Sequence, residues 1–299
     1  MKRSAASLAR LTLLAGLAAS HLTLLVRASM GAFAIMAAPS WLGGGLLLME
    51  REDQGLPPSM ASLSRRRFAL GVLLLLWPLL VLTFAARLYD PLLHLLPLFA
   101  LPALALLGGA PLHSPLTGQL LLIGSLLPFQ VLLNRFLPTE PLAFATARVS
   151  AFLLILLGRP AFPAGRDIVL VDQILVVDAS CTGVNTISLC LAAVVLLLLL
   201  LPPPFFRRRG PLLSLLLNGA LLGGFAMAAA FLVNAVRVAL LGLTRQDPDA
   251  TGLAHLTTFE FWHDGTGSHV FSLTAMLIVC GAYVLALEVH LRQSRPSPP

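Results

Sequence analysis

Apolar runs long enough to cross a bilayer recur along this chain from residue 8 to residue 291, separated by short polar breaks. No other feature of the sequence narrows its possible folds so far. Backbone groups in hydrocarbon must satisfy their hydrogen bonds internally, so each run is predicted to form a transmembrane helix of about 20 residues. Composition points the same way. Hydrophobic residues make up 58% of the chain and charged residues 11%, against roughly 25% charged in a soluble domain. So few charges cannot cover a water-soluble globule, and the recurring apolar runs exclude a disordered chain. The expected fold class is an all-α integral membrane protein.

Predicted spans lie at about 31–49, 69–87, 91–108, 116–135, 184–202, 211–243 and 270–291. A further run at 8–25 starts like a signal peptide, with Lys2, Arg3 and Arg10. It lacks a clear small-x-small cleavage site before the next span and is predicted to be a retained first helix. The segment 142–158 is ambiguous: it is apolar but carries Arg148. Basic clusters at Lys2/Arg3/Arg10, Arg65/Arg66/Arg67, Arg207/Arg208/Arg209 and Arg292/Arg295 mark the cytoplasmic side. Two cytoplasmic triplets must be separated by an even number of crossings, and four clear runs already separate them. The segment 142–158 is therefore expected to be a helix lying at the interface.

This reading gives eight spans with both termini cytoplasmic. Twelve of the 20 basic residues but only four of the 13 acidic ones then fall inside. The whole chain, 1–299, is expected to be one polytopic membrane domain, with N-terminal spans over 1–135 and a disordered tail over 293–299. The net charge of +7 is spent on topology signals rather than on a basic patch, so no nucleic-acid partner is expected. The segments 136–183 and 244–269 would face outward. Within the first, DIVLVDQILVVD at 167–178 alternates β-branched residues around Asp172-Gln173, the pattern of a short β-hairpin.

Three polar islands interrupt the apolar pattern of the second half. The first, VDASCTGVN, sets Cys181 where a strand-like segment gives way to a membrane helix. Unpaired N–H groups and the positive dipole end at a helix start favour a thiolate and can hold an oxyanion. Gly183 beside it would let a substrate backbone approach closely. The plain alternative is that Cys181 is merely a small helix-start residue. The second island holds Asn234 and Arg237, three apart and so on one helix face. Arginine in a span is costly unless it meets a polar cavity or snorkels to the headgroups. The third, FWHDGTGSHVF, precedes the last span and offers His263 as a general acid or base, with His269 as a rival.

Other polar groups and cysteines suggest less. Cys190 and Cys280 lie inside apolar runs and are read as buried small hydrophobes. Three cysteines make no disulfide framework. His21, His94, His113 and His290 are scattered and suggest no role. Two histidines in one loop raise the question of a metal, but no third ligand is evident, although His255 lies nearby. Neither a metal nor a cofactor is expected. Nucleophile, cation and imidazole on one face make the kit for acyl transfer through a thioester. The competing readings are a transporter lined by Arg237 and the Asp/His residues, and a non-enzymatic subunit of an envelope assembly.

In their order and spacing, Cys-Thr-Gly-Val-Asn at 181–185, Asn-Ala-Val-Arg-Val at 234–238, and His263 followed by Gly267 and Phe271 resemble the exosortase/archaeosortase family. These polytopic membrane transpeptidases carry Cys-Ser/Thr-Gly, Asn-x-x-Arg and His-x-x-x-Gly-x-x-x-Phe motifs. The resemblance covers roughly 136–290, the expected catalytic region. It implies Cys181 as nucleophile, Arg237 as oxyanion or substrate stabiliser and His263 as proton-transfer partner. Gly183, Asn234, Gly267 and His269 would support them. It also implies exported substrates whose C-terminal sorting signal joins a short motif (often Pro-Glu-Pro), an apolar helix and a basic tail. The enzyme would then be a multi-pass plasma-membrane protein, in contact with lipid and with its site facing outward. Two departures bear on signal choice: Thr182, where the family more often has serine, and Asn185, in place of a common arginine.

Overall fold

The computed structural model describes residues 5–28, 30–53, 64–84, 90–203, 210–244, 252–263 and 265–293. Its helices are α1 (Ala5–Arg27), α2 (Gly31–Asp53), α3 (Arg65–Phe84), α4 (Leu96–Leu107), α5 (Pro115–Gly124), α6 (Leu126–Phe136) and α7 (Thr139–Leu156). Strands β1 (Ala161–Ala164), β2 (Asp167–Leu170) and β3 (Ile174–Val176) follow. Then come α8 (Val184–Leu200), α9 (Pro211–Leu241), the short α10 (Phe259–His263) and α11 (Thr266–Gln293). Among the described residues, seven helices are long and apolar enough to cross a membrane, or eight if the bent pair α5 and α6 is one span. The all-α membrane class holds.

Two predicted spans and the segment expected at the interface take a different form, and prolines explain the two spans. The run at 91–108 is not one span-length α-helix. Its first turns, Asp90–Leu95, are 3-10, and α4 begins only at Leu96 with Pro97 in its first turn. Pro97 has no N–H to give and its ring crowds the carbonyl four residues back. The run at 116–135 bends by 45° between α5 and α6. Pro128 stands four residues after Gly124 and breaks the ladder at Gly124-Ser125. The third is 142–158, which forms the continuous α7 beginning at Thr139. α7 has the length and apolarity of a crossing helix. Gln293, expected in the tail, belongs to α11. The tail beyond it and the basic residues Lys2, Arg3, Arg207–Arg209 and Arg295 lie outside the described residues.

Packing divides the chain into two compact units, Met1–Leu132 with Leu199–Leu201, and Leu133–Leu198 with Pro202–Pro299. In the first, α1 pairs with α2, and α4 is packed between α3 and α5. In the second, α9 packs against both α7 and α11. Small residues set these contacts. Ala226 and Ala230 of α9 meet Ala275 and Val279 of α11 and Ile187, Cys190 and Val194 of α8. Membrane helices approach closely through such side chains.

The expected hairpin is a three-stranded antiparallel sheet, order β1-β2-β3. β2 and β3 pair Asp167↔Val176 through Val169↔Ile174, around the turn expected at Asp172. The extra strand, Ala-Phe-Pro-Ala, escaped the sequence reading because it holds a proline and no β-branched residue. Gly165, at φ +68°, supplies the left-handed first position of the two-residue loop joining it to β2. Ile168 and Leu170 of β2, with Leu175 of β3, pack inward on Ala143, Ala147, Ala151 and Leu154 of α7 and Val238, Ala239 and Leu241 of α9. Cys181 sits in this same cluster. The sheet thus seats the start of α8 on the end of α9.

Candidate active site

After β3 the chain turns through a single 3-10 turn, Ala179–Cys181, capped by Asp178. The Cys181 N–H donates to Asp178 Oδ1 at 3.0 Å, and Ser180 Oγ donates to the same oxygen at 2.7 Å. This is an N-cap arrangement, with a carboxylate satisfying the orphan donors of a helical turn. It fixes the backbone on which the thiol is carried. Gly183 follows at φ +81° and reverses the chain into α8.

Asn234 and Arg237 share one face of α9 and both turn toward this loop. Asn234 Nδ2 donates to the Cys181 carbonyl at 2.7 Å. Arg237 Nη2 stands 3.4 Å from the Ser180 carbonyl and 3.6 Å from Cys181 Sγ. Cys181 is 1% exposed and Arg237 6% exposed. Among the described residues, buried Arg237 Nε and Asn234 Oδ1 have no hydrogen-bond partner. The buried guanidinium sets a positive charge directly against the sulfur, at a range where charge is weakly screened away from water.

The expected role of Gly183 changes with this geometry. A Cβ there would stand 2.8 Å from Asn234 Cγ. The open side of Gly183 is filled by the Asn234 amide rather than left for a substrate backbone. Gly183 is a supporting residue that lets the second polar island reach the first.

The third island comes in through α10. Thr258 Oγ1 accepts from the Phe261 N–H at 3.3 Å, and Trp262 Nε1 donates to the Leu256 carbonyl at 2.8 Å. The His263 ring stacks on Phe259, centroids 4.9 Å apart and 20° from parallel. Its Nε2 lies 4.0 Å from Asp178 Oδ2. Gly267 makes room for this turn: a Cβ would meet Phe261 and Trp262 at 2.7 Å. Phe271 then packs edge-on to Trp262 at 5.6 Å. His269, half-buried at the start of α11, is close enough to Arg237 to feel its charge. The structure therefore brings Cys181, Asn234, Arg237 and His263 to one place, with Gly183 and Gly267 as the contacts that allow it.

Asp178 is the residue that sequence reasoning missed. Burial works to raise its carboxyl, but the Ser180 hydroxyl, the Cys181 N–H and the nearby His263 together hold it below the ordinary aspartate range. It stands on the same side of the imidazole as the thiol: one ring nitrogen lies within 4.8 Å of both a carboxylate oxygen and the sulfur. Its signal was available as Asp at position i and Cys at i+3, the spacing of a side-chain cap onto a helical turn.

Ligating atoms of Asp178, Cys181 and His263 lie within 4.8 Å of one another. Oxygen, sulfur and nitrogen donors at this spacing are a set that a borderline-soft cation accepts. The Arg237 guanidinium against the sulfur opposes a second positive charge there. The arrangement suits a nucleophile with its acid–base partner better than a metal centre.

No curated protein and no solved structure matches the chain. The family profile of the transmembrane exosortases matches residues 40–280. That stretch holds Cys181, Asn234, Arg237 and His263 together with the helices and strands that position them, and the chain belongs to the transmembrane exosortase family.

Proposed function

We propose that this exosortase is a cysteine transpeptidase or protease that cleaves C-terminal sorting signals of exported proteins through a thioester acyl-enzyme. The signal combines a short polar motif, an apolar helix and a basic tail. One observation carries the reading: Cys181 Sγ lies 3.6 Å from Arg237 Nη2 and within 4.8 Å of a His263 ring nitrogen, with an Asp178 carboxylate oxygen within the same distance of both.

The chemistry follows from the positions. His263 takes the Cys181 proton as the thiolate attacks the scissile carbonyl carbon. The carbonyl π pair moves onto oxygen, where the guanidinium, with its buried Nε–H to spare, stabilises the negative charge. The Asp178 carboxylate, 4.0 Å from His263 Nε2, stabilises the protonated imidazole by its charge. Collapse of the tetrahedral species breaks the C–N bond, and His263 returns the proton to the leaving amine. The thioester is then resolved by a nucleophile, water or an amine, from which His263 again removes a proton.

The site faces outward in this reading, and α7 lies at the interface although it is long enough to cross. β1 returns along α7 immediately after it, and the sheet packs against that helix. A small sheet with open edges cannot be accommodated in hydrocarbon. The 90–107 stretch can still cross. Six 3-10 residues and twelve α residues rise about 30 Å together, the thickness of a bilayer core. The even number of crossings between the basic triplets is then kept.

Cys181→Ala and Arg237→Ala test the proposal in cells that export a tagged reporter bearing such a signal. Processing is expected to stop with Cys181→Ala and to fall about 100-fold or more with Arg237→Ala. Wild-type processing in either variant overturns the reading.

A further inference from the structure

Resting on that function, the geometry points to the free edge of β3 as the place where the substrate is held, its extended segment added as a fourth strand that leads the scissile carbonyl to Cys181. The ladder shows which groups are free. The Val177 N–H donates to the Arg166 carbonyl at 3.0 Å, and the Leu170 N–H to the Gln173 carbonyl at 2.9 Å. Bonded and non-bonded pairs alternate in an antiparallel ladder. Ile174 and Val176, opposite Val169 and Asp167, are therefore the non-bonded partners. Their N–H and C=O groups point off the sheet. The Val176 carbonyl takes the Asp178 N–H at 3.1 Å, which leaves both groups of Ile174 and the N–H of Val176 directed at the edge.

The two edges of the sheet are not equivalent. By the same alternation, Ala161 and Pro163 of β1 point away from β2, and Pro163 has no N–H to offer. Proline on the outward side of an edge strand blunts it against further pairing. β3 carries no proline, and among the described residues β2 is its only strand partner. The bare edge is also the one that runs into the nucleophile: Val177 and Asp178 continue it to the Ala179–Cys181 turn. Asp178, Ala179 and Ser180 are exposed along that path. In strand addition, main-chain bonds hold the peptide and pockets beside alternate residues read its side chains. A cavity of about 550 Å³ lies beside the path from β3 to the nucleophile, lined by Glu140 and Phe144 of α7, Arg166, Val177, Asp178 and Thr182. It would take a polar side chain next to the scissile bond.

The test uses the full chain in nanodiscs and synthetic peptides comprising a Pro-Glu-Pro motif, an apolar helix and a basic tail, each with one backbone amide N-methylated. Binding is measured on Cys181→Ala and cleavage on the wild type. Strand addition predicts that N-methylation weakens binding at least tenfold at alternate non-proline amides and less than twofold at those between. Val176→Pro removes an edge donor without touching the ladder and should weaken binding of the unmodified peptide at least tenfold. Ala161→Pro, on the far edge, should bind as wild type. Equal effects at successive amides, or no effect at any, overturn the inference. So do equal binding losses in the two proline variants, or a Val176→Pro effect explained by lost pairing between two copies of the chain. A peptide cleaved through Cys181 without the alternating pattern sinks the edge and spares the proposed chemistry. A peptide bound with the pattern yet left uncut does the reverse, and one neither bound nor cut sinks both.

Discussion

In the N-terminal unit, the Trp41 indole donates to His21 Nδ1 across 3.0 Å, and both side chains are buried between α1 and α2. The His94 ring stands edge-on to Phe33 with centroids 4.3 Å apart. His21 also reaches the backbone of Leu93, in the 3-10 turn before α4. In the second unit, side chains from the sheet exit, α9 and α10 meet around one sulfur, and an arginine donor is left over. The contrast teaches what a site needs that a structural polar contact does not. Pairing lowers the cost of burying polarity in lipid, and what sets the second unit apart is that a thiol, a guanidinium and a carboxylate are gathered around one imidazole. A working site keeps donors and charges in excess of its internal needs, held by rigid neighbours, so that a substrate can use them.

The sharpest way to break this contrast is at the two histidines of the third island. Replacing His263 by alanine should lower turnover by about 10²–10⁴, and His269→Ala by less than about tenfold, measured on a tagged reporter. The opposite order would make His269 the imidazole and leave Asp178 without its partner. Gly183→Ala is expected to come next. It forces a side chain into the left-handed region and onto Asn234, at a cost of about 1–3 kcal/mol, so both the thermal midpoint in detergent and the turnover should fall.

Asp178→Asn sharpens the comparison through pH. The carboxyl of Asp178 is held below the ordinary aspartate range of about 3.9. Its contribution to stability is thus fully present above that value and fades only as pH falls through the lowered one. The gap in unfolding midpoint between wild type and Asp178→Asn should be constant near neutrality and shrink in strong acid. Turnover of the variant should drop severalfold at neutral pH as the imidazole loses its anion. The smallest catalytic effect is expected in the other unit. His21→Ala leaves the Trp41 N–H without its acceptor, costing about 1–3 kcal/mol of stability, while turnover per folded enzyme stays at the wild-type level.

Much of this molecule is legible in its sequence because lipid imposes a simple rule: an apolar run must become a helix. Helices therefore formed at every predicted span, and the turn at Asp172 lay where β-branched alternation put it. Where prediction slipped, local chemistry was in competition. Pro97 and Pro128 reshaped two spans, and Pro163 hid a strand whose role is to end a sheet. The motifs around Cys181, Asn234, Arg237 and His263 could be named from their order and residue types.

What the sequence could not determine by itself was distance. Nothing in the spacing of residues 178, 181, 234, 237 and 263 says that Asp178 stands beside the His263 ring or that the Asn234 amide closes over Gly183. Those facts depend on how α7, the sheet and α9 pack, and packing is a property of many side chains filling one volume together. Residue type settled what chemistry was available. Only the tertiary structure decided which groups stand near enough to share it.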